Sequence, residues 1–269
     1  MGDFRLTDDN YYSKDADIRY MSVSQYKTFA GTYGRPGCEY YAMEKLMGRW
    51  NEEPSDAMLI GSYVDSWVEG PESFEKFQRE HPQMYKQDGT LYGKYRIGNT
   101  VISRISRDSY FMASLSGDKQ AIMTGSLFGT DWKIKMDSYI RHEAIVDLKT
   151  VKSLRERKWV RDIGLMDFID YWGYDVQGAI YQEIVRQRTG EKLPFFIAGV
   201  SKERYPDIEV ILIPQSKLDE ALYKVQMHMP RILAVKKGEK PDRCEKCDCC
   251  RDSKILTGFI RQDEIPEDL

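Results

Sequence analysis

Apolar positions recur at helical spacing through the first part of the chain and change to the two-residue period of strands near residue 120. Ser22 and Ser24 offer N-caps for a helix running through Phe29, and Gly31, Gly34, Pro36 and Gly37 then break the pattern. Further helices are predicted over 38–50, 58–69 and 97–115, the last with Val101, Ile102, Ile105 and Met112 on its apolar face. In the 58–69 helix, Gly61, Asp65 and Glu69 share one face. The polar residues 1–20 are expected to gain order only by docking, and the glycine-containing stretch 85–96 reads as a surface excursion.

Segments 120–125 and 127–132 read as strands, after which Ile134 and Met136 alternate with Lys133, Lys135 and Asp137. A turn at Arg141-His142-Glu143 precedes an apolar strand over 144–148, so 132–137 and 144–150 are expected to form a hairpin. The charged, aromatic stretch 151–171 reads as a mobile segment beside it. A strong helix over 173–188 is closed by Gly190. Apolar strands at 195–200 and 208–213 follow, then an amphipathic helix over 215–237 that Pro230 is expected to bend. With no repeat and no linker, the pattern predicts a single α/β domain over 1–269. Within it, 1–118 is mainly helical, 119–236 carries the sheet and its helices, and 237–269 is a Cys-rich tail.

Composition narrows this little: 41% hydrophobic and 12% aromatic residues are those of a globular chain. A net charge of −3 argues against a protein that coats nucleic acid indiscriminately, though not against one with a local basic groove. No apolar run is long enough to span a bilayer, and residues 1–10 lack a signal peptide's apolar stretch, so a cytoplasmic protein without membrane contact is expected.

The chemistry gathers at 132–150. Asp147 and Lys149 lie on one strand face with Leu148 opposite, and Asp137 lies ten residues upstream of Asp147. Two converging carboxylates would hold a hard cation, and a lysine beside them would orient a water or offset charge on a phosphoryl transition state. Asp-x-Lys alone is common, and Asp131-Trp132-Lys133 is a second copy whose bland reading is a surface ion pair. What singles out the 147–149 copy is its place after the apolar run Ala144-Ile145-Val146, with Asp137 at hairpin distance and Asp65 on an earlier helix.

The order Asp137, then Asp147-Leu148-Lys149-Thr150, then Tyr174-x-x-Gln177-x-x-x-Tyr181 resembles the PD-(D/E)xK nuclease signature. It is most similar to the RecB/RecE-like branch and, within it, to the phage-type exodeoxyribonuclease VIII (RecE) nuclease domain, over nearly the whole chain. The resemblance implies a restriction-endonuclease-like core, a mixed central sheet flanked by helices with helical elements N-terminal to it. It implies a Mg- or Mn-dependent DNA exonuclease acting on double-stranded ends in phage-type recombination, with a single-strand annealing partner and a homo-oligomeric ring. By position, Asp137, Asp147, Lys149, Gln177 and Tyr181 would be catalytic, and Asp65, Asp137, Asp147 and the Leu148 carbonyl would bind the metal. Related enzymes often carry a histidine where this chain has Asp65, a departure that leaves open a catalytically weakened DNA-binding scaffold of the same fold.

Cys244, Cys247, Cys249 and Cys250 cluster near the C-terminus, with Cys38 far upstream. So dense a group suggests metal binding rather than disulfides. Cys38, Cys244, Cys247 and Cys250 resemble the four ligands of a 4Fe–4S cluster in some RecB-like nucleases. A zinc site from the same residues, or a zinc-tethered interaction module, is the rival reading. Lys152, Arg155, Lys158 and Trp159, with Tyr174, could grip phosphates and stack a base; a solvated charged loop accounts for the same composition. No Gly-x-x-x-x-Gly-Lys-Ser/Thr loop is present, so no ATP dependence is expected.

Overall fold

A computed structural model describes residues 4–256 and 258–264. The first part is helical: α1 (Lys14–Arg19), α2 (Val23–Ala30), α3 (Glu39–Leu46), α4 (Asp56–Glu69), α5 (Pro71–Glu80), α6 (Ile97–Ile105) and α7 (Ser109–Ser114). A short ribbon of β1 (Gly31–Thr32) and β2 (Arg35–Pro36) links α2 to α3. Capping sets the helix boundaries. Ser22 accepts a bond from Gln25 N–H to start α2, and Ser55 does the same from Met58 for α4. The expected 97–115 helix divides because Asp108 caps Phe111 N–H and restarts it as α7. The expected 38–50 helix ends at Leu46, before Gly48 at φ +71°.

The central sheet has four strands in the order β10–β9–β6–β5, formed by β5 (Ser138–Ile140), β6 (Ala144–Val151), β9 (Phe195–Ser201) and β10 (Ile208–Leu212). It is mixed: β6 and β9 run parallel, and both outer strands run antiparallel to their neighbours. The hairpin partner of β6 is therefore 138–140 rather than 132–137, with Ser138 opposite Val146. Residues ahead of Asp137 pair elsewhere, because β4 (Thr130–Met136) forms its own antiparallel ribbon with β3 (Ala121–Leu127). Asp137 is the bend between these two structures. Segment 151–171, expected to be mobile, contains a third ribbon of β7 (Lys158–Val160) and β8 (Gly164–Met166) and the start of α8 (Phe168–Trp172). After these come α9 (Tyr174–Thr189), α10 (Gln215–Lys236) and α11 (Asp248–Asp252). Pro230 lies within α10, which continues past it.

Both sheet faces are covered, as the apolar strands require. Ile145, Phe195 and Ile197 pack with Ile180 and Ile184 of α9 and Val225 and Met229 of α10. On the other face, Val146, Leu148, Ala198 and Val200 pack with Val64 of α4, Val101 and Ile105 of α6 and Phe111 of α7. The alternation over 132–137 proves deceptive. Lys133, expected on a polar face, is 1% exposed and donates to Asp17 at 2.7 Å and to the Tyr11 carbonyl. The segment around α1, expected only to dock, covers that face and supplies the oxygens. Among the described residues, no helix is long and apolar enough to cross a membrane.

Candidate active site

β6 carries the centre of the site. Asp147 is 2% exposed, and its side chain shares a face with Ile145, Lys149 and Val151 while Val146 and Leu148 turn into the opposite core. Asp147 Oδ1 accepts a 2.6 Å bond from Gln177 Nε2 on α9. Its Oδ2 is in ion-pair contact with Lys149 Nζ but lacks a partner in hydrogen-bond alignment. Asp137 Oδ2 accepts from Leu148 N–H at 2.8 Å, taking the place of the strand that ends opposite Val146. A strand residue's N–H and C=O leave on the same side, so the Leu148 carbonyl faces the edge occupied by Asp137. Gln120 Nε2 reaches the other Asp137 oxygen at 3.4 Å.

Asp65 approaches from α4. Its Oδ1 is buried without a hydrogen-bond partner, and its pKa is held well above the ordinary value by burial and by the nearby Asp137 charge. Burial, then the Asp147 charge, pushes Asp137 up to about 7 despite the Leu148 N–H bond. Burial acts to discharge Lys149, but Asp147 and Asp137 outweigh it and keep its pKa above the usual lysine range. Three acids therefore crowd Lys149 in a desolvated site, where burial and mutual repulsion disfavour the charged forms of Asp65 and Asp137 until a cation offsets them. That is the electrostatic demand for a cation, and Asp65 Oδ1 and Asp147 Oδ2 are orphaned oxygens fit to meet it.

The remaining expected residues divide. Tyr181 is buried and donates to the Lys135 carbonyl at 2.9 Å, fastening α9 to β4. Lys149 Nζ lies 5.1 Å above the Tyr174 ring. Lys152 and Lys158 both pair with Glu156, and Arg155 pairs with Asp207. Trp159, on β7, is 73% exposed. Two residues escaped sequence reasoning. Lys27 of α2 lies 5.2 Å from the Tyr174 ring and donates to the Trp172 carbonyl at 3.0 Å; burial and Lys149 bring its pKa down to about 7. Tyr12 is mostly exposed, yet desolvation around its hydroxyl, followed by the Asp137, Glu69 and Asp65 charges, raises its pKa. Neither sits in a local pattern that marks it, since each meets the site only through the packing of the N-terminal segment.

A second cluster joins the chain's two ends. The sulfurs of Cys38, Cys244, Cys247 and Cys250 all lie within 4.8 Å of one another. Cys38 Sγ is 3.6 Å and Cys244 Sγ 3.9 Å from Cys250 Sγ. The Lys246 and Cys247 N–H groups bring the Cys244 thiol down to about 7 against burial, which alone would raise it. Cys249 is buried but outside the group. Arg231 of α10 pairs with Glu39 of α3, while Asp242 N–H donates to Glu39 and Arg243 stacks 4.0 Å from the Tyr40 ring, which brings the tail onto α3.

Residues 22–253 match a family described as "PDDEXK-like domain of unknown function (DUF3799)". The chain belongs to this PDDEXK-like family. The order Asp137, Asp147, x, Lys149 follows the acidic and lysine letters of the family's name. The chain is also similar to a crystal structure described as a "Putative exonuclease" from Eubacterium rectale, at 57% identity and a TM-score of 0.93. That similarity covers 96% of this chain and 97% of the other. No curated protein matches. The mixed sheet with helices on both faces is the PDDEXK-like fold that the sequence resemblance implied.

Proposed function

We propose that this PDDEXK-like protein is a metal-dependent nuclease that hydrolyses DNA phosphodiester bonds at Asp137, Asp147 and Lys149. The observation that carries the reading is the Asp147–Lys149 pair on a buried strand, with Gln177 holding one Asp147 oxygen and the other left without an aligned hydrogen bond. Asp65, Asp137, Asp147 and the Leu148 carbonyl would hold Mg²⁺ or Mn²⁺; hard oxygen donors suit such ions, and an aspartate at 65 fits them better than an imidazole would. When bound, the ion would polarise the phosphate and make a water nucleophilic at neutral pH. Lys149, kept cationic by its acidic neighbours, faces negative charge that develops on the phosphoryl oxygens. Gln177 orients Asp147, and Asp137 joins the end of β5 to the Leu148 backbone, so the two carboxylates keep a set relation.

Exonucleolytic action on double-stranded ends, with an annealing partner in phage-type recombination and a homo-oligomeric ring, belongs to the same proposal. Its support is the RecE-like order of motifs and the similarity to the Eubacterium rectale protein. At the second cluster we propose a single zinc ion. Thiolates at about 2.3 Å around one tetrahedral ion stand about 3.8 Å apart, close to the 3.6 and 3.9 Å separations here. In a 4Fe–4S cluster each thiolate binds a different iron outside the cube, which needs wider spacing.

Degradation of end-labelled linear duplex with Mg²⁺ or Mn²⁺ tests the nuclease reading. Lys149→Ala is expected to lower the rate by about 10²–10³-fold while leaving DNA binding in place. If wild type and variant bind DNA equally and neither degrades it, the enzyme reading is lost.

A further inference from the structure

A cleft of about 490 Å³ opens between α6 and the turn joining β9 to β10, with Asn99, Ser103, Arg104, Arg107, Arg204 and Tyr205 among its lining residues. The helix itself explains the polar wall. Gly98, Val101 and Ile105 are buried beneath α6, which leaves Asn99, Ser103 and Arg104 on the opposite side, with Arg107 in the turn just past its end. Three guanidiniums thus share one open cleft. Among the described residues, Arg107 and Arg204 have no ion-pair partner, and Arg104 has only Asp108 at 3.9 Å. The acids of the turn are engaged elsewhere: Asp207 with Arg155, and Glu203 with Ser153 and Ser201. Tyr205 is 80% exposed, with the Arg204 guanidinium 5.4 Å from its ring centre.

We propose that this cleft is a second nucleic-acid subsite, holding single-stranded DNA by phosphates on Arg104, Arg107 and Arg204 and by a base on Tyr205. Guanidinium forks match phosphate oxygens, and an exposed ring stacks on a base of any sequence. A base face is free for such stacking only once the duplex is open, which favours a single strand over a double one. The cleft lies on the α6 side of the sheet, whereas Asp147 and Lys149 face α9 on the other side, so it is a site apart from the candidate active site at the same end of the sheet. Lys149 is opposite Gly199 in the parallel pair, and Lys202 N–H donates to the Val151 carbonyl at 2.7 Å, so β6 and β9 end together. The ligand class rests on the nuclease reading; the binding itself requires no catalysis.

Anisotropy of a labelled oligothymidylate, titrated with the full chain in EDTA over a range of salt, provides the test. In Arg104→Ala/Arg107→Ala/Arg204→Ala the slope of log affinity against log salt should flatten by about 2, from three phosphate contacts at about 0.7 each. Tyr205→Ala should weaken binding roughly tenfold with the slope unchanged. Arg204→Glu, on the exposed turn, replaces the triple variant if that protein melts early, and should weaken binding further. Unchanged affinity and slope in all variants overturn the subsite, and an equal loss on a duplex probe overturns its single-strand character. A wild type that binds the probe but degrades no DNA with Mg²⁺ or Mn²⁺ overturns the nuclease reading and leaves the subsite standing.

Discussion

Gln177 shows how one side chain acts through another. Its amide reaches Asp147 at 2.6 Å, and among the described residues nothing else in hydrogen-bond alignment holds that carboxylate. Gln177→Ala is expected to lower metal affinity or kcat by about 10–100-fold, and to lower stability by about 1–3 kcal/mol as a buried carboxylate oxygen loses its donor. Metal titrations of activity and binding check this, and a variant with wild-type metal affinity and kcat would remove the positioning role. Tyr181 belongs to the same motif, yet its hydroxyl is spent on the Lys135 carbonyl. Two residues four apart on one helix thus end in different roles, one at the carboxylate and one at the backbone of β4.

At the scale of elements, α9 is placed by close approach as much as by its apolar stripe. A Cβ on Gly178 would lie 2.4 Å from the fully buried Phe195 ring. Gly178→Ala should therefore lower stability by about 1–3 kcal/mol, overpacking outweighing the helix-propensity gain. Gly61 in α4 has nothing within 4 Å of its Cβ position, so there the same substitution should add up to about 1 kcal/mol. Denaturant unfolding of the two variants should move in opposite directions; two shifts of one sign would contradict this packing. The two Asp-x-Lys copies make a parallel point. Asp131 and Lys133 are taken up by Ser126 and by Asp17 and Tyr11, while Asp147 and Lys149 face each other beneath α9.

For the whole molecule, the cysteine cluster joins α3 to the tail across more than two hundred residues of sequence. Purified protein is expected to hold one zinc per chain by elemental analysis. Cys250→Ser should release it, expose the chain beyond residue 237 to proteolysis and lower Tm by roughly 5 °C or more. A brown sample with stoichiometric iron would overturn zinc in favour of a cluster, and intact metal content in the variant would remove Cys250 from the ligand set.

Periodicity and local chemistry in the sequence marked the longer helices and the strands of the central sheet, because caps, glycines and apolar spacing act over a few residues, but not α1, α5 or the ribbon of β7 and β8. Strand alternation put Asp147 and Lys149 on one face, and the resemblance in motif order singled out Gln177. Tertiary structure alone decided that Asp137 would bend from one ribbon into another, that Lys133 would be buried under α1, and that Lys27 would share the Tyr174 ring with Lys149. Each of these depends on which distant surface covers a face, and a local pattern of polar and apolar residues holds no record of the covering partner. The cleft of Arg104, Arg107 and Arg204 arises in the same way, from a helix face and a strand turn a hundred residues apart that packing brings to one opening.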